Sequence, residues 1–394
     1  MTKIETLLQT LCPNGVEYKK IKDVYKRLRG TPITAGKMQE INNPAGNIRI
    51  FAGGQTVVNA FAKNIVGANV INVPAVIVQS RGLIDFLYYE EPFTFKNEMW
   101  AYTANDKISV RYLFHLLKSK IPLFRKTATE KGGLPQISLP VTEECLIPVP
   151  PLAAQGEIVR ILDNFTELTA ELTAELTARK KQYEFYRNHL LSFDDDVPRV
   201  KLSDLFDTKN GYTPSKNNAN FWNNGTIPWF RMEDIRENGR ILSDSIQHIT
   251  EEAVKCSVFK KDSIIISTSA TIGEYALLRC ESVSNQRFTY LNLKEKYKKD
   301  FDIMFLFHYC WKLSEFCKNN LNQGNFASVD MTRFNNFEFP MPPLSEQERI
   351  VRILDRFDTL CNDISTGLPA EIAARQRQYE HYRDELLNFE KAAL

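Results

Sequence analysis

Side chains capable of chemistry are plentiful in this sequence, but their spacing matches no catalytic motif. A phosphate-binding loop of the form GxxxxGK[ST] is approached only between Gly30 and Gly36, one residue too far apart, and Lys37 precedes Met38 rather than Ser or Thr. Neither Asn43-Pro44-Ala45 nor the two PPL strings has the Asn/Asp-Pro-Pro-aromatic pattern that holds a target amine. GxGxxG after a strand, HExxH and GxSxG are absent, and the 7 Cys and 5 His show no zinc spacing. We therefore expect no catalytic residue, metal or cofactor on this chain.

Two blocks of the sequence occur twice in nearly the same form. The four stretches are PPLAAQGEIVRILDNFTEL (150–168), PPLSEQERIVRILDRFDTL (342–360), RKKQYEFYRNHLLSF (179–193) and RQRQYEHYRDELLNF (375–389). Phe-His also occurs at 114–115 and at 307–308. An ordered series of matches at nearly one offset indicates a duplicated unit, in which a globular segment is followed by a long helix.

The repeated blocks have the periodicity of amphipathic helices. Apolar residues recur at three- and four-residue steps from Ile158 to Leu190 and from Ile350 to Leu386. A helix of about 38 residues is roughly 57 Å long. We expect the two to form an antiparallel coiled coil, although burial in two separate domains would also satisfy the stripes. TAELTAEL at 169–176 favours an unbroken first helix, whereas Gly and Pro should break the second near 366–369.

The two globular segments combine strand and helix signals, so the predicted fold class is α/β (mixed α+β). The strand candidates are Val73–Val78, Leu146–Val149, Ser263–Ser267 and Phe288–Leu293, and the helix candidates are Val110–Lys120 and Ile303–Lys318. The predicted division is a globular domain over 1–150, a central helical spacer over 151–196, a second globular domain over 197–341 and a C-terminal helical spacer over 342–394.

The total charge hides a segregation of charge along the chain. Lys and Arg number 50 and Asp and Glu number 48, giving a net charge of +2. The net charge is +7 over 1–150, −4 over 151–196, +2 over 197–341 and −3 over 342–394. Basic surface is needed where phosphates bind, so the globular segments, the first above all, are the parts expected to approach nucleic acid. With no 18-residue apolar run and no signal-peptide pattern at its start, the sequence predicts a cytoplasmic protein.

The duplicated pattern PPLxxQxxIVRILDxF followed by RxxQYExYRxxLLxF, with TAEL repeats between its parts, resembles the specificity (S) subunit of prokaryotic type I restriction–modification systems. The resemblance covers the whole chain in architecture and is strongest in the helical segments. It implies that each globular segment is a target recognition domain reading one half of a bipartite double-stranded DNA site. It also implies that the helices set the gap between the halves and dock two modification (methyltransferase) subunits, with two restriction (translocase/nuclease) subunits completing the complex. S-adenosylmethionine would then bind in the modification subunits, and ATP and Mg in the restriction subunits, while this chain is non-catalytic.

Candidate DNA-contacting residues are Lys and Arg for phosphates, and Arg, Lys, Asn, Gln, Ser or Thr for base edges, in predicted loops or strand ends. In the first segment they are Lys37, Gln55, Gln79, Ser80, Arg81, Lys96, Asn97, Arg125, Lys126, Lys131 and Gln136. In the second they are Lys209, Thr213, Ser215, Lys216, Arg231, Ser267, Thr268, Ser269, Asn285, Gln286, Arg287 and Asn325. Gln79–Gly82 and Ser284–Arg287 are preferred because each adjoins a strand. Any single candidate could instead be a solvated surface side chain, and Trp222 and Trp229 are expected in the core.

On the helices, four residues at equivalent positions are candidates for contact with the partner subunits: Gln155, Arg160, Gln347 and Arg352. Ion pairs within the coiled coil would account for the arginines equally well. Tyr183, Tyr186, Tyr379 and Tyr382 are expected in the coiled-coil core or at a partner contact. Two other functions stay open at this point, a stand-alone DNA-modifying or DNA-cleaving enzyme and a coiled-coil scaffold that binds only proteins.

Overall fold

The computed structural model describes residues 3–54, 56–65, 67–131, 133–255, 257–322, 327–363 and 365–392. The chain divides into two compact units, the first made of Met1–Thr173 and Ile372–Leu394 and the second of Ala174–Glu371. Each unit therefore takes one globular segment together with parts of both helical segments. The boundaries at 150, 196 and 341 stay predictions of where the globular segments end.

The first unit is built around a four-stranded sheet covered by a helix. Its elements, up to the first long helix, are α1 (Lys3–Leu11), β1 (Glu17–Lys20), α2 (Ile21–Val24), β2 (Lys26–Arg29), α3 (Ala35–Glu40), β3 (Ile48–Phe51), β4 (Val57–Ala60), β5 (Ala75–Gln79), β6 (Asp85–Tyr89), β7 (Phe93–Phe95), β8 (Trp100–Thr103), α4 (Lys107–Ser119), α5 (Ile121–Lys126), β9 (Thr129–Lys131), β10 (Leu134–Gln136), α6 (Leu139–Glu143), β11 (Leu146–Val149) and α7 (Leu152–Leu190).

The central strand β5 is buried on both faces, which explains its uninterrupted apolar sequence. The antiparallel sheet has the order β2-β8-β5-β6, and a three-stranded sheet has the order β4-β3-β7. Val76 and Val78 face the cluster that contains Leu113 of α4. Ile77 belongs to a second cluster with Phe93 of β7. Alternate side chains thus join the sheet to a helix on one side and to the small sheet on the other.

The second unit repeats this plan with one more strand. Its elements are β12 (Arg199–Lys201), α8 (Leu202–Leu205), β13 (Phe206–Asn210), β14 (Ile227–Phe230), α9 (Met232–Asn238), β15 (Ile241–Leu242), β16 (His248–Ile249), β17 (Ser263–Ser267), β18 (Tyr275–Leu278), β19 (Val283–Ser284), β20 (Phe288–Leu293), α10 (Ile303–Asn319), α11 (Met331–Asn335), β21 (Glu338–Pro340) and α12 (Leu344–Asn362). The last helix, α13 (Leu368–Leu386), lies mostly in the first unit, which resumes at Ile372.

The main sheet of the second unit has the order β13-β20-β17-β18-β15. β17 pairs antiparallel with β20 and β18, as β5 does with β8 and β6. Ile264 and Ile266 face the cluster that contains Phe305 of α10, and Ile265 faces a separate cluster with Phe230. The central strand of each unit is therefore held in the same way, which confirms the predicted mixed α/β class and the duplication.

Within each unit α7 packs against a helix of the second helical segment. In the first unit Phe165 of α7 packs on Tyr382 of α13, with ring centroids 5.3 Å apart. In the second, Tyr183 and Tyr186 of α7 stack on Phe357 of α12, at 6.0 and 5.4 Å. These contacts confirm the predicted coiled-coil pairing and the place of the tyrosines in it.

The second long helix is broken where the sequence predicts. α12 ends at Asn362 and α13 begins at Leu368. The carboxylate of Asp363 accepts hydrogen bonds from the backbone and hydroxyl groups of Ser365 and Thr366. A Cβ at Gly367 would lie 2.4 Å from the carbonyl oxygen of Thr359, so this tight turn requires glycine.

Most predicted elements have the expected bounds. The strands at 146–149, 263–267 and 288–293 begin and end at the predicted residues. β5 begins at Ala75 rather than Val73 because Pro74 lacks the N–H that a ladder needs. α4 begins earlier than predicted, because Asp106 caps the N–H groups of Ile108 and Ser109. Among the helices that the structure describes, none combines the length and apolar character needed to cross a bilayer.

Candidate nucleic-acid interface

In the first unit several loops meet just beyond the end of β5. The N–H of Ile137 donates to the carbonyl of Ser80 at 2.9 Å, and Arg81 and Gln136 form an antiparallel bridge. The β9–β10 hairpin is thereby attached to the residues that follow the central strand. We call residues 52–54, 79–82, 96–98, 129–131 and 133–136 the first loop cluster. The side chain of Arg81 is exposed there.

Two preferred residues of this cluster hold the loops together instead of facing outward. Gln79 is 4% exposed and its Nε2 donates to the carbonyl oxygen of Gly54 at 2.7 Å. Ser80 is 1% exposed and its Oγ lies 3.5 Å from the carbonyl oxygen of Glu98. The prediction that these two side chains contact DNA is therefore corrected, because burial leaves no path to a ligand. Their role is to shape the cluster around Arg81.

Two lysine candidates, one in the first loop cluster and one on α3, each form an ion pair with a glutamate. Lys96 Nζ lies 2.8 Å from Glu98 Oε1, and Lys37 Nζ lies 2.7 Å from Glu40 Oε1 on α3. Such exposed ion pairs contribute little to stability and are readily exchanged for phosphate contacts. Both lysines therefore remain available cations.

The remaining described candidates of the first unit lie in the first loop cluster or on α5. Asn97, Arg125 and Lys126 are exposed, the last two on α5, and Gln136 is half-buried in β10. Gln55 and the side chain of Lys131 lie outside the described residues.

In the second unit loops meet at the equivalent point, beyond the end of β17. The N–H of Val329 donates to the carbonyl of Thr268 at 2.9 Å, and Ser269 and Ser328 form an antiparallel bridge. The N–H of Thr268 donates to the carbonyl of Arg287 at 3.0 Å. We call residues 211–216, 267–270, 284–287 and 328–329 the second loop cluster.

The side chains of Ser267 and Thr268 are buried and form hydrogen bonds within the second unit, as those of Gln79 and Ser80 do in the first. Ser267 is fully buried and its Oγ donates to the carbonyl of Ser269 at 2.9 Å. Thr268 is 9% exposed, with its Oγ1 at 2.9 Å from the hydroxyl of Thr289. The prediction that these two side chains read DNA is corrected for the same reason as at Gln79 and Ser80. Ser269 remains, half-buried beside the bridge.

A close backbone approach joins the 211–216 loop to the 284–287 loop. The N–H of Tyr212 donates to the carbonyl of Ser284 at 2.8 Å, and the hydroxyl of Thr213 donates to Oε1 of Gln286. A Cβ at Gly211 would lie 2.3 Å from the carbonyl oxygens of Ser284 and Asn285. Glycine is therefore required for these two loops to form one surface.

The remaining candidates surround this surface. Ser215, Lys216, Gln286 and Arg287 are exposed, and Lys209 and Thr213 are half-buried. Asn285 Oδ1 accepts the N–H of Arg287 at 3.0 Å, so its side chain builds the turn. The guanidinium of half-buried Arg231 lies 5.7 Å from the ring centroid of Trp229. Asn325 lies outside the described residues.

Trp222 and Trp229 form part of the core, as expected. Their rings pack edge to face at 5.0 Å, and Trp229 is 3% exposed. Each indole N–H donates to a carbonyl oxygen of the 211–216 loop, from Trp229 to Tyr212 and from Trp222 to Ser215. The two tryptophans thus attach the 211–216 loop of the second loop cluster to the core.

Both halves of the chain match a known protein family. The family model for the type I restriction modification DNA specificity domain matches residues 13–179 and 194–374. The chain belongs to the type I restriction–modification DNA specificity family. It is 51% identical over 204 residues to the specificity subunit of the type I restriction enzyme EcoprrI of Escherichia coli, and 43% identical over 251 residues to that of EcoR124I/EcoR124II of the same species. These matches cover 50% and 61% of this chain.

This member of the specificity family spans 51% and 60% of the lengths of those two relatives. In fold it is similar to the crystal structure of the S subunit of a type I system from M. genitalium, with a TM-score of 0.61 at 15% identity, covering 95% of this chain and 96% of that one. The resemblance noted in the sequence is thereby confirmed.

The start of each long helix in this specificity protein is fixed by a buried glutamine. Gln155 Nε2 donates to the carbonyl of Pro150 at 2.8 Å, and Gln347 Nε2 donates to that of Pro342 at 2.8 Å. Gln347 Oε1 also accepts the N–H of Asp302 at 2.9 Å. The prediction that these glutamines contact partner subunits is corrected, since they are 5% and 0% exposed.

The arginines of the same motif do reach the surface. Arg160 is exposed and its guanidinium lies 2.8 Å from Glu157 Oε2 on the same helix. Arg352, at the equivalent position, is also exposed. Leu152 and Leu344, one at the start of each helix, are 46% and 42% exposed.

Sequence reasoning missed two histidine–aspartate pairs that the duplication contains. His115 Nε2 on α4 lies 2.8 Å from Asp163 Oδ1 on α7, and His308 Nε2 on α10 lies 2.7 Å from Asp355 Oδ1 on α12. The signal was present, because both the Phe-His dipeptide and the Asp of IVRILD recur. Repeated polar residues inside otherwise apolar motifs could have been read as a pair.

Electrostatics assign the protonation state of the first pair. Burial lowers the pKa of His115, and the hydrogen bond to Asp163 opposes that shift only in part. Burial acts to raise the pKa of Asp163, but the hydrogen bond from His115 and the charge of Arg111 outweigh it and lower the pKa. At neutral pH a neutral imidazole therefore donates from Nε2–H to a carboxylate. Among the described residues, no group of His, Cys, Asp and Glu has the arrangement of a metal site.

Proposed function

We propose that this chain is the DNA sequence-specificity subunit of a type I restriction–modification complex, each unit reading one half of a bipartite duplex target. The observation that carries the proposal is the pair of loop clusters at topologically equivalent strand ends. The frameworks beneath them match, whereas the residues at the bridge differ, Arg81 with Gln136 in one and Ser269 with Ser328 in the other. Two readers of the same build with different side chains suit two different half-words.

The chemistry of the clusters suits duplex DNA. Arg81 and Arg287 are exposed cations beside amide and hydroxyl groups, and arginine is the side chain that most often reads guanine in the major groove. The first globular segment carries a net charge of +7 against +2 for the second. The first half-site should therefore contribute more of the salt-sensitive affinity.

The helices supply a spacing device and surfaces for partners. Each TAEL adds four residues to α7, about 6 Å of helix, against about 3.4 Å for one base-pair step. Leu152 with Arg160, and Leu344 with Arg352, are exposed identical residues in the two copies, and the core does not account for them. We assign these two surfaces to two modification subunits.

The catalytic groups of the complex would then reside elsewhere. The modification subunits would bind S-adenosylmethionine and methylate adenine, and two restriction subunits would use ATP and Mg to translocate and cleave DNA. This chain would contribute no catalytic group and bind no cofactor.

The decisive experiment is co-expression with the methyltransferase subunit, followed by sequencing of the modified adenines. The expected result is a single bipartite motif with a fixed gap. Methylation or cleavage by the purified chain alone would favour a stand-alone enzyme. Failure to shift duplex DNA with or without the methyltransferase would favour a protein-binding scaffold.

A further inference from the structure

Each unit carries one polar pair, a buried histidine and a partly exposed aspartate, where the helix of its globular segment crosses its long helix. His115 is fully buried and His308 is 5% exposed. Around the first pair lie Val110, Leu113, Ile158 and Leu162, all in one apolar cluster. Around the second lie Phe305, Ile350 and Leu354. These apolar contacts already hold α4 on α7 and α10 on α12.

Because apolar contacts already hold these helices together, the presence of a polar pair between them calls for a different explanation. Burying an imidazole costs desolvation energy, and an apolar side chain of similar volume in its place would hold the helices together as well or better. Apolar contacts are non-directional, so they tolerate small rotations and slides of one helix on the other. A hydrogen bond of 2.8 or 2.7 Å does not, and single buried polar groups are known to fix helix register.

The elements joined by these pairs are the ones that matter for spacing. α4 packs on the sheet whose central strand β5 leads into the first loop cluster, and α10 does so for β17 and the second cluster. The partners Asp163 and Asp355 lie on the long helices. A change in register at either joint would therefore move a loop cluster relative to the helix that carries it.

We propose that His115–Asp163 and His308–Asp355 are positioning pairs that fix the direction in which each DNA-reading segment projects from its long helix, and that they thereby determine the accepted gap between the half-words. This inference rests on the proposed function and assigns to it residues that touch neither DNA nor the methyltransferase.

The two joints are unequal. In the first, Arg111 Nε also donates to both oxygens of Asp163, at 2.8 and 3.1 Å, and its guanidinium lies 4.4 Å from the ring centroid of Tyr88. The equivalent position in the second copy is Met304, so His308 carries that joint without a second cation from this position. Loss of His308 should therefore lower the discrimination between gap lengths more than loss of His115 does.

The test uses the complex of the full chain with its methyltransferase, and duplexes whose gap is the native length or one base pair longer or shorter. His308→Leu removes the hydrogen bond and keeps an apolar side chain. The expected result is about a tenfold loss of discrimination between the native and altered gaps, because a hydrogen bond to a charged group is lost. His308→Gln places an N–H near the position of Nε2 and should restore discrimination.

Three comparisons complete the design. His115→Leu should have a smaller effect than His308→Leu, and Arg111→Met combined with His115→Leu should match it. Glu315→Gln, on α10 but paired only with Lys318 among the ion pairs of the described residues, is the control and should discriminate as the wild type does. If His308→Leu does not fold, Asp355→Leu replaces it, since Asp355 is 43% exposed and leucine offers no acceptor to the imidazole.

The outcomes separate the inference from the function on which it rests. Full gap discrimination in a folded His308→Leu or Asp355→Leu complex, or altered half-words at an unchanged gap, would overturn the positioning role. Absence of sequence-specific methylation in the wild-type complex would instead overturn the proposed function.

Discussion

Phe165 and Tyr382 lie with their ring centroids 5.3 Å apart, although Phe165 belongs to the first copy of the repeat and Tyr382 to the second. The contact joins α7 to α13 within the first unit. It shows that the duplicated aromatic positions bring the two copies together at the level of single side chains.

Replacing Phe165 by Ala should destabilise the first unit by about 1–3 kcal/mol, below the value for a fully buried ring because Phe165 is half-buried. Urea unfolding followed by circular dichroism measures the change. Glu167→Ala, an exposed position two residues further along α7, should alter the free energy of unfolding by less than about 0.5 kcal/mol. Equal effects of the two substitutions would contradict the packing role of the ring.

Duplicating or deleting one TAEL of the 169–176 run should change the gap in the recognised site and leave both half-words unchanged. The physical reason is that α7 is an uninterrupted helix from Leu152 to Leu190, so four residues change its length by about 6 Å. Sequencing of methylated adenines in cells carrying the variant reads out the motif. New half-words at the old gap would show that α7 does not set the spacing.

Alanine at Arg81 should weaken binding to sites that carry the first half-word, by about 1–3 kcal/mol if it reads a base, and alanine at Arg287 should act on the second half-word in the same way. Competition binding with duplexes altered in one half at a time measures each effect. Lys180→Ala, exposed on α7 and outside both loop clusters, should leave DNA affinity unchanged. An Arg81 variant with wild-type affinity and specificity would remove this residue from the interface.

Alanine at Gly211 should abolish recognition of the second half-word, because its Cβ would meet the carbonyl oxygens of Ser284 and Asn285 at 2.3 Å. The first half-word should remain recognised. Gly36→Ala is the matched control, since its Cβ would have no neighbour within 4 Å. Normal reading of both half-words by the Gly211 variant would show that the two loops need not meet.

The stability of the first unit should fall below neutral pH in a manner that depends on His115. Burial lowers the pKa of this imidazole in the folded state, with Arg111 adding to and Asp163 opposing the shift. The unfolded chain therefore binds the proton first as the pH falls below about 6.5, and stability is lost from there down to the folded pKa. Asp163, whose folded pKa is lowered, keeps its stabilising contribution throughout this window.

Urea unfolding at pH 7.0 and pH 5.5 tests this expectation. The free energy of unfolding should decrease more for the wild type than for His115→Gln, which lacks the titrating group. Identical pH dependence in both proteins would show that His115 gains its proton equally well in the folded and unfolded states.

The sequence predicts the long helices and central strands well, since they follow from periodicity and from apolar runs such as that of β5. It predicts the candidate interface only in part. Gln79, Ser80, Ser267 and Thr268 have the right types for reading DNA and lie at the right strand ends, yet all are buried. A polar side chain in a loop can satisfy the backbone or face a ligand, and only the packing of distant loops decides between these roles.

The same reasoning explains the error at Gln155 and Gln347. Their repetition in both copies indicates a shared role, but it does not tell whether the side chains are buried in the protein or contact a partner at its surface. The structure shows an internal one, in which the amide donates to the carbonyl that precedes each helix. The His–Asp pairs were missed because their members lie in separate motifs, and no local pattern links them.

Residues 372–394 belong to the first unit, whereas residues 174–371 form the second without interruption. During synthesis the second unit can therefore complete its core while the first, although its residues left the ribosome earlier, still waits for α13. Until then the part of the apolar cluster of Ile158 and Leu162 that Leu386 covers lies exposed. Domains are generally expected to fold from the N-terminus onward, but in this chain the first unit needs residues that are synthesised after those of the second.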